Sequence, residues 1–184
     1  RFGREGGNLE RARALFAGTQ RLVRREQRSI WLSAARSWLF NRVLAERVRQ
    51  GNWNRLVPGD VFQLEGSRAQ FRAEEEAEVT LRLAQGQVHP TGPLWGRPGR
   101  SLLPDGEAAL LESRVLEDQE EWCNGLVRAG LEMDRRALRM QVRELAWTLE
   151  GGCLELTFGL QKGSYATSLL RELVHPPHLR DSST

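Results

Sequence analysis

The stretch LAWTLEGGCLELTFGL, residues 145–160, decides the fold class. Leu145, Trp147 and Leu149 alternate with Ala146, Thr148 and Glu150. After Gly151-Gly152, Leu154, Leu156, Phe158 and Leu160 alternate with polar or small residues. Alternation puts every second side chain on one face of a strand, so two such runs across Gly-Gly predict an antiparallel β-hairpin. The segments before it read mainly as helices. Helices followed by an antiparallel hairpin make an α+β pattern, not the alternating βαβ of a parallel sheet.

The strongest helix signal is Gln27–Arg49, which lacks Gly and Pro and has Gly51 just past its end. Ile30, Trp31, Ala34, Ala35, Trp38, Leu39, Val43 and Leu44 form a wide apolar stripe, so most of this helix should be buried. Arg28, Arg36, Arg42, Arg47 and Arg49 then fall on the remaining face or at the ends. Asn8 is placed to cap a short helix through Phe16, ended by Gly18. Pro58-Gly59-Asp60 predicts a turn into a strand over Val61–Leu64. Glu74–Gln85 reads as an amphipathic helix with Ala77, Leu81 and Ala84 on one face. His89–Gly99 carries three Pro and three Gly and is expected to lack regular structure. Asp105 is expected to cap a helix toward Arg128, broken near Asn124-Gly125, and Asp134–Arg139 to form another short helix. Thr167 caps a last helix through Val174, stopped by Pro176-Pro177.

The 184 residues suffice for one domain with a core, or a small domain and part of another. Two cysteines exclude a disulfide-stapled mini-protein, and no apolar run approaches a membrane span. The chain opens at Arg1 with no signal-peptide run. Its net charge of +3 conceals a gradient: residues 1–50 hold twelve Arg against four Glu, a net of +8. Of the basic residues 26 are Arg, and Lys162 is the single Lys. Such a basic third favours a polyanion, because arginine forks onto phosphate oxygens and releases counterions. It equally fits arginine in place of lysine on a solvated helix.

Specific sites are few. Gly3, Gly6 and Gly7 match neither G-x-G-x-x-G nor a nucleoside-triphosphate loop. His89, His175 and His178 have no metal-ligand spacing, with Pro176-Pro177 between the last two. Cys123 and Cys153 read as buried thiols of an intracellular protein. Glu74–Glu76, Glu117-Asp118 and Glu120-Glu121 read as solvated faces. Tyr165 stands in a Gly-Ser loop before the last helix, where its ring could stack on a base or plug the core. Arg171, four residues after Thr167, shares that helix face.

At these residues the chain resembles the tRNA pseudouridine synthase D family. The matching segments are RFGREGGNL (1–9), RSIWLSAARSWLFNRVLAERV (28–48), PGDVFQLEG (58–66), HPTGPLWG (89–96), RRALR (135–139) and KGSYATSLLREL (162–173). The resemblance implies an isomerase that detaches a uracil from its ribose, rotates it and rejoins it through carbon. It implies tRNA as partner, uridine 13 as target, no cofactor or metal, no membrane, and a cytoplasmic location. It divides the chain into a helix-rich inserted α/β domain, residues 1–140, and residues 141–184, the hairpin and helix of the catalytic sheet. Tyr165 matches an active-site aromatic, shaped by Gly163, Ser164, Ala166 and Thr167. Arg1, Phe2, Gly3 and Asn8 match a segment expected beside the cleft. With Arg24, Arg25, Arg28 and Arg171 they make the expected RNA-binding set.

One part of the pattern is missing. The family's nucleophilic Asp lies in G-x-K-D-x-x-A, upstream of RFG. Here Asp60, Asp105, Asp118, Asp134 and Asp181 all lack a preceding Lys. No catalytic residue is therefore expected in this chain. It is expected to be the C-terminal portion of such an enzyme, inactive without the missing N-terminal half of the same protein. A non-catalytic RNA-binding module is the alternative.

Overall fold

Two helices, α1 (Gly7–Phe16) and α2 (Arg25–Arg49), open the computed structural model, which describes residues 7–19, 24–161 and 164–173. The chain divides into two compact units, residues 1–139 and 140–184. In the first unit, strands β1 (Val61–Leu64) and β2 (Gln70–Arg72) precede α3 (Glu76–Ala84) and β3 (Val88–Leu94). Then come α4 (Gly106–Leu116), a 3-10 turn at Glu117–Gln119, α5 (Glu120–Arg128) and β4 (Asp134–Ala137). The four strands form one antiparallel sheet in the order β2-β1-β3-β4.

The apolar stripe of α2 builds the larger core. Trp31, Leu32, Ala35, Leu39 and Val43 pack with Ala12 of α1, Leu111 and Leu116 of α4, and Trp122 and Leu126 of α5. Leu39 and Leu126 are wholly buried, each contributing roughly 2 kcal/mol by area. Ile30 is the exception to the expected stripe, lying 55% exposed. Arg47 is the other departure: it is buried, because a partner from the following loop, Asp60, sits against it.

Several expectations are corrected. The segment HPTGPLW is mostly strand, despite its prolines. Val88, His89 and Pro90 pair with β1, whereas Thr91 to Leu94 pair with β4. No stretch of β3 has to ladder on both sides, so two missing N–H groups are tolerable in a central strand. Residues 134–137 are strand, not helix: they pair with β3, and the buried Arg135 side chain donates to the hydroxyl and carbonyl of Thr91 on that strand. The α3 face that packs is Val79 and Leu83, joined to Phe62 and Val88, while Leu81 is exposed. Helix α1 starts at Gly7, so Asn8 lies inside it. Cys153 is exposed; Cys123 is buried, which pushes its thiol up to about 11.

The expected break at Asn124-Gly125 falls instead at Glu117–Gln119. Gly125 lies within α5, where α1 crosses it so closely that a Cβ would overlap the Phe16 ring. Gly125→Ala should cost about 1–3 kcal/mol through this overlap. In a urea titration, combining it with Phe16→Ala should erase most of that extra cost, since the cavity accepts the methyl.

The second unit contains β5 (Val142–Glu150), β6 (Cys153–Leu160) and α6 (Ala166–Leu173). The hairpin is as expected. Gly151 and Gly152 take φ of 57° and 78°, which the tight turn requires. Trp147 faces Leu156 and Leu149 faces Leu154 across the ladder, so one face is apolar. Among the described residues that face is uncovered: Leu145, Trp147, Leu149 and Leu154 are exposed.

Candidate nucleic-acid interface

Helix α2 buries one side and turns the other toward a cleft of about 340 Å³. Four guanidinium groups line it, from Arg25, Arg28 and Arg36 on α2 and from Arg136 on β4. Ser29, Ser33 and Ser37 line it as well, one helical turn apart. Arg36 builds the wall: its Nη2 donates to the Leu94 carbonyl at 2.7 Å and to the Glu132 carbonyl at 2.7 Å. Its Nε is buried and makes no hydrogen bond among the described residues. Burial first, and then the nearby charge of Arg136, hold Arg36 below its usual range, while Asp134 opposes them. Arg28 donates to the Ala129 carbonyl at the end of α5, at 3.2 Å. Arg136 lies over the Phe40 ring, 5.5 Å from its centroid. Arg24 is exposed, at the position preceding α2.

Of the expected RNA-binding set, the structure thus brings Arg25 and Arg28 together. Asn8 sits on α1 and does not line the cleft. Arg1, Phe2, Gly3 and Gly163 lie outside the described residues. Sequence reasoning missed Arg36 and Arg136 as cleft residues, and the three serines. The Ser-x-x-x-Ser-x-x-x-Ser spacing along one face of α2 was a usable signal. Arg136, a hundred residues away, had none.

In the second unit Tyr165 is 68% exposed, immediately before α6. It does not plug a core among the described residues. Its carbonyl accepts from the Ser168 N–H at 2.9 Å, and the Ser164 N–H donates to the Gln161 carbonyl at 3.0 Å. These bonds close the loop and start the helix. Helix α6 begins at Ala166, so Thr167 lies in its first turn and does not precede it. Thr167 and Arg171 are exposed on α6.

The remaining motifs serve the fold. Thr91 donates its hydroxyl to the Val61 carbonyl and accepts from Arg135 Nε at 2.8 Å. Arg135 also grips the carboxylate of Glu112, which α4 carries. His89 joins Glu65, 2.7 Å from its Nε2, to Arg139, whose Nε donates to Nδ1 at 2.8 Å. A guanidinium only donates, so Nδ1 is unprotonated and the ring is the neutral Nε2–H tautomer.

Burial first, with the charge of Arg139 added, holds His89 below its usual 6.5, against the pull of Glu65. The unfolded chain therefore binds the proton more readily. Stability contributed by His89 is complete above pH 6.5 and is lost as pH falls from there toward the lower folded value. Unfolding free energy should decline by up to about 1.4 kcal/mol per pH unit in that window. His89→Asn should flatten this part of the curve, measured by urea titration at successive pH values.

No group of three His, Cys, Asp or Glu among the described residues could hold a metal. No described helix is long and apolar enough to cross a membrane. The family described as tRNA pseudouridine synthase D (TruD) matches residues 8–173. The chain belongs to the TruD family. It is 45% identical over 175 residues to tRNA pseudouridine synthase D of Hydrogenovibrio crunogenus, covering 94% of this chain and 50% of that protein. For the Aeromonas salmonicida protein of the same name the identity is 47% over 175 residues, with coverage of 95% and 49%. The chain thus spans about half the length of the curated TruD relatives it matches. A Methanosarcina mazei crystal structure assigned to TruD superposes with a TM-score of 0.63 at 22% identity. It covers 85% of this chain and 40% of that one, and shows the mixed helix-and-strand fold.

Proposed function

We propose that these 184 residues are part of a tRNA pseudouridine synthase that isomerises uridine 13 of tRNA in the cytoplasm. The match across residues 8–173, to relatives named for that activity, carries the reading. Residues 1–140 then act as most of the family's inserted domain. Residues 141–184 return to the catalytic sheet. The exposed apolar face of the β5–β6 hairpin supports this, because a lone two-stranded hairpin is marginal in water and needs further strands or a cover.

The chemistry requires the target uridine to leave its stack before the glycosidic bond breaks. A flipped uracil needs an aromatic face, and Tyr165 offers an exposed one. Gly163, Ser164, Ala166 and Thr167 set its loop, and Arg171 supplies a cation on the adjoining helix. Arg1, Phe2, Gly3, Asn8, Arg24, Arg25 and Arg28 hold the RNA. No Asp of this chain follows a Lys, so the nucleophile is supplied from outside these residues. The 184 residues alone should bind unmodified tRNA without forming pseudouridine; turnover by them would overturn this placement.

In the full-length enzyme, Tyr165→Ala should lower kcat by about tenfold or more while leaving tRNA affinity nearly unchanged. Pseudouridine formation under saturating tRNA, alongside filter binding, separates the two effects. Equal losses in both would remove the base-stacking role. A non-catalytic RNA-binding module remains the second reading, favoured by the lack of a motif Asp here. It predicts tRNA binding but no pseudouridine even from the full-length protein.

A further inference from the structure

The structure places polar chemistry on α2 that the fold does not use. Ser29 and Ser33 are exposed, and none of the three serine hydroxyls has a hydrogen-bond partner among the described residues. Arg25 and Arg136 are exposed and pair with no carboxylate among those residues. Arg36 and Arg136 stand close enough for their like charges to oppose each other. Arg28 and Arg36 are tied to backbone carbonyls, and Asp134 offsets part of the like charge at Arg36, but the Arg25 and Arg136 charges are left for an anion in the cleft.

The shape narrows the anion. The cleft follows the helix for three turns, from Arg25 to Ser37, rather than closing around one point. Successive serines rise by about 6 Å along the axis, comparable to the separation of neighbouring phosphates in one strand. Hydroxyls can donate to phosphate oxygens or meet ribose 2′-hydroxyls, and the arginines neutralise charge on either side. Arg36 is committed to two carbonyls and acts as the positioning residue that fixes the wall.

We infer that this cleft binds the phosphodiester backbone of an RNA strand, with Arg25 and Arg136 as its charge contacts and Ser29, Ser33 and Ser37 as its neutral donors. The inference rests on the reading of the chain as part of a tRNA-modifying enzyme. It adds Arg136, Ser29, Ser33 and Ser37 to the residues that hold the RNA.

The test uses the 184-residue chain, unmodified tRNA and a salt series read by fluorescence anisotropy. Arg25→Gln with Arg136→Gln should weaken binding at least tenfold and make the salt slope shallower by about two, one for each phosphate no longer neutralised. Ser29→Ala, Ser33→Ala and Ser37→Ala together should weaken binding several-fold and leave the slope unchanged, because a hydroxyl displaces no counterion. Arg68→Gln with Arg114→Gln, which removes the same charge from residues outside the cleft, is the reference. All three variants alter exposed or half-exposed groups, and thermal unfolding confirms that they fold. If the cleft variants bind as the reference does while the unaltered chain binds tRNA steeply with salt, the cleft assignment falls and the tRNA reading stands. If the unaltered chain does not bind tRNA at low salt, both fall.

Discussion

Replacing Arg47 by methionine should lower the unfolding free energy by about 3–5 kcal/mol, the largest loss expected from any single substitution described above. Arg47 and Asp60 are each 2% exposed. The guanidinium holds both carboxylate oxygens, at 2.8 and 3.0 Å, and also the carbonyls of Asn52 and Arg55. Asp60 accepts in turn from the Val57 N–H at 2.9 Å. Removing the cation leaves a buried carboxylate without its counter-charge and takes a donor from the Asn52 and Arg55 carbonyls, of which Asn52 keeps the Arg55 N–H; the uncompensated desolvation of Asp60 sets the size of the effect. The double variant Arg47→Met, Asp60→Leu should recover a large part of the loss, because neither charge is then buried. Urea unfolding of the two variants decides the matter: equal instability would mean that packing, not charge, is responsible.

Gly59→Ala should be nearly as severe, at about 3 kcal/mol or more. Gly59 has φ of +86°, and a Cβ there would run into the backbone carbonyl of Asp105 and lie 2.6 Å from its Oδ1. The neighbours cannot yield independently. The Gly59 carbonyl accepts from the Asp105 N–H at 3.1 Å, and the Pro58 carbonyl accepts from Ala108 at 3.0 Å. These bonds satisfy N–H groups at the start of α4, a task that the sequence assigned to the Asp105 side chain. Asp105 makes no cap bond and instead pairs with Arg72. A thermal melt should show the loss, and a change of under 1 kcal/mol would mean that the Asp105 segment moves freely.

Local patterns were legible where one physical signal ruled. The hairpin, α2 and β1 follow from alternation, an uninterrupted apolar stripe and a turn. Prolines in β3 and the polar run DRRA in β4 misled, because tertiary partners override local preference. Split pairing excuses Pro90 and Pro93, and Thr91 and Glu112 absorb Arg135. Gly125 looked like a helix break because the ring it accommodates, Phe16, is more than a hundred residues earlier. For the candidate site, Arg25 and Arg28 were visible as charge, but a cleft needs a second wall. Arg136 and Leu131 supply it from distant sequence. The exposure of Tyr165 could not be read from its loop, since stacking and plugging use the same residue types.

The divided ladder of β3 also separates the sheet into two leaves. Ladder partners change from β1 to β4 at Pro90-Thr91, and two bonds straddle that junction: the Leu138 N–H donates to the Pro90 carbonyl and the Thr91 hydroxyl to the Val61 carbonyl. Detaching β4 leaves the β2-β1-β3 ladder intact, and loosening β1 leaves the β3-β4 ladder intact. Opening β4 has to break its own ladder and the Leu138–Pro90 bond but not the ladder of β1, so amides of β4 and of β1 should exchange with solvent through different openings.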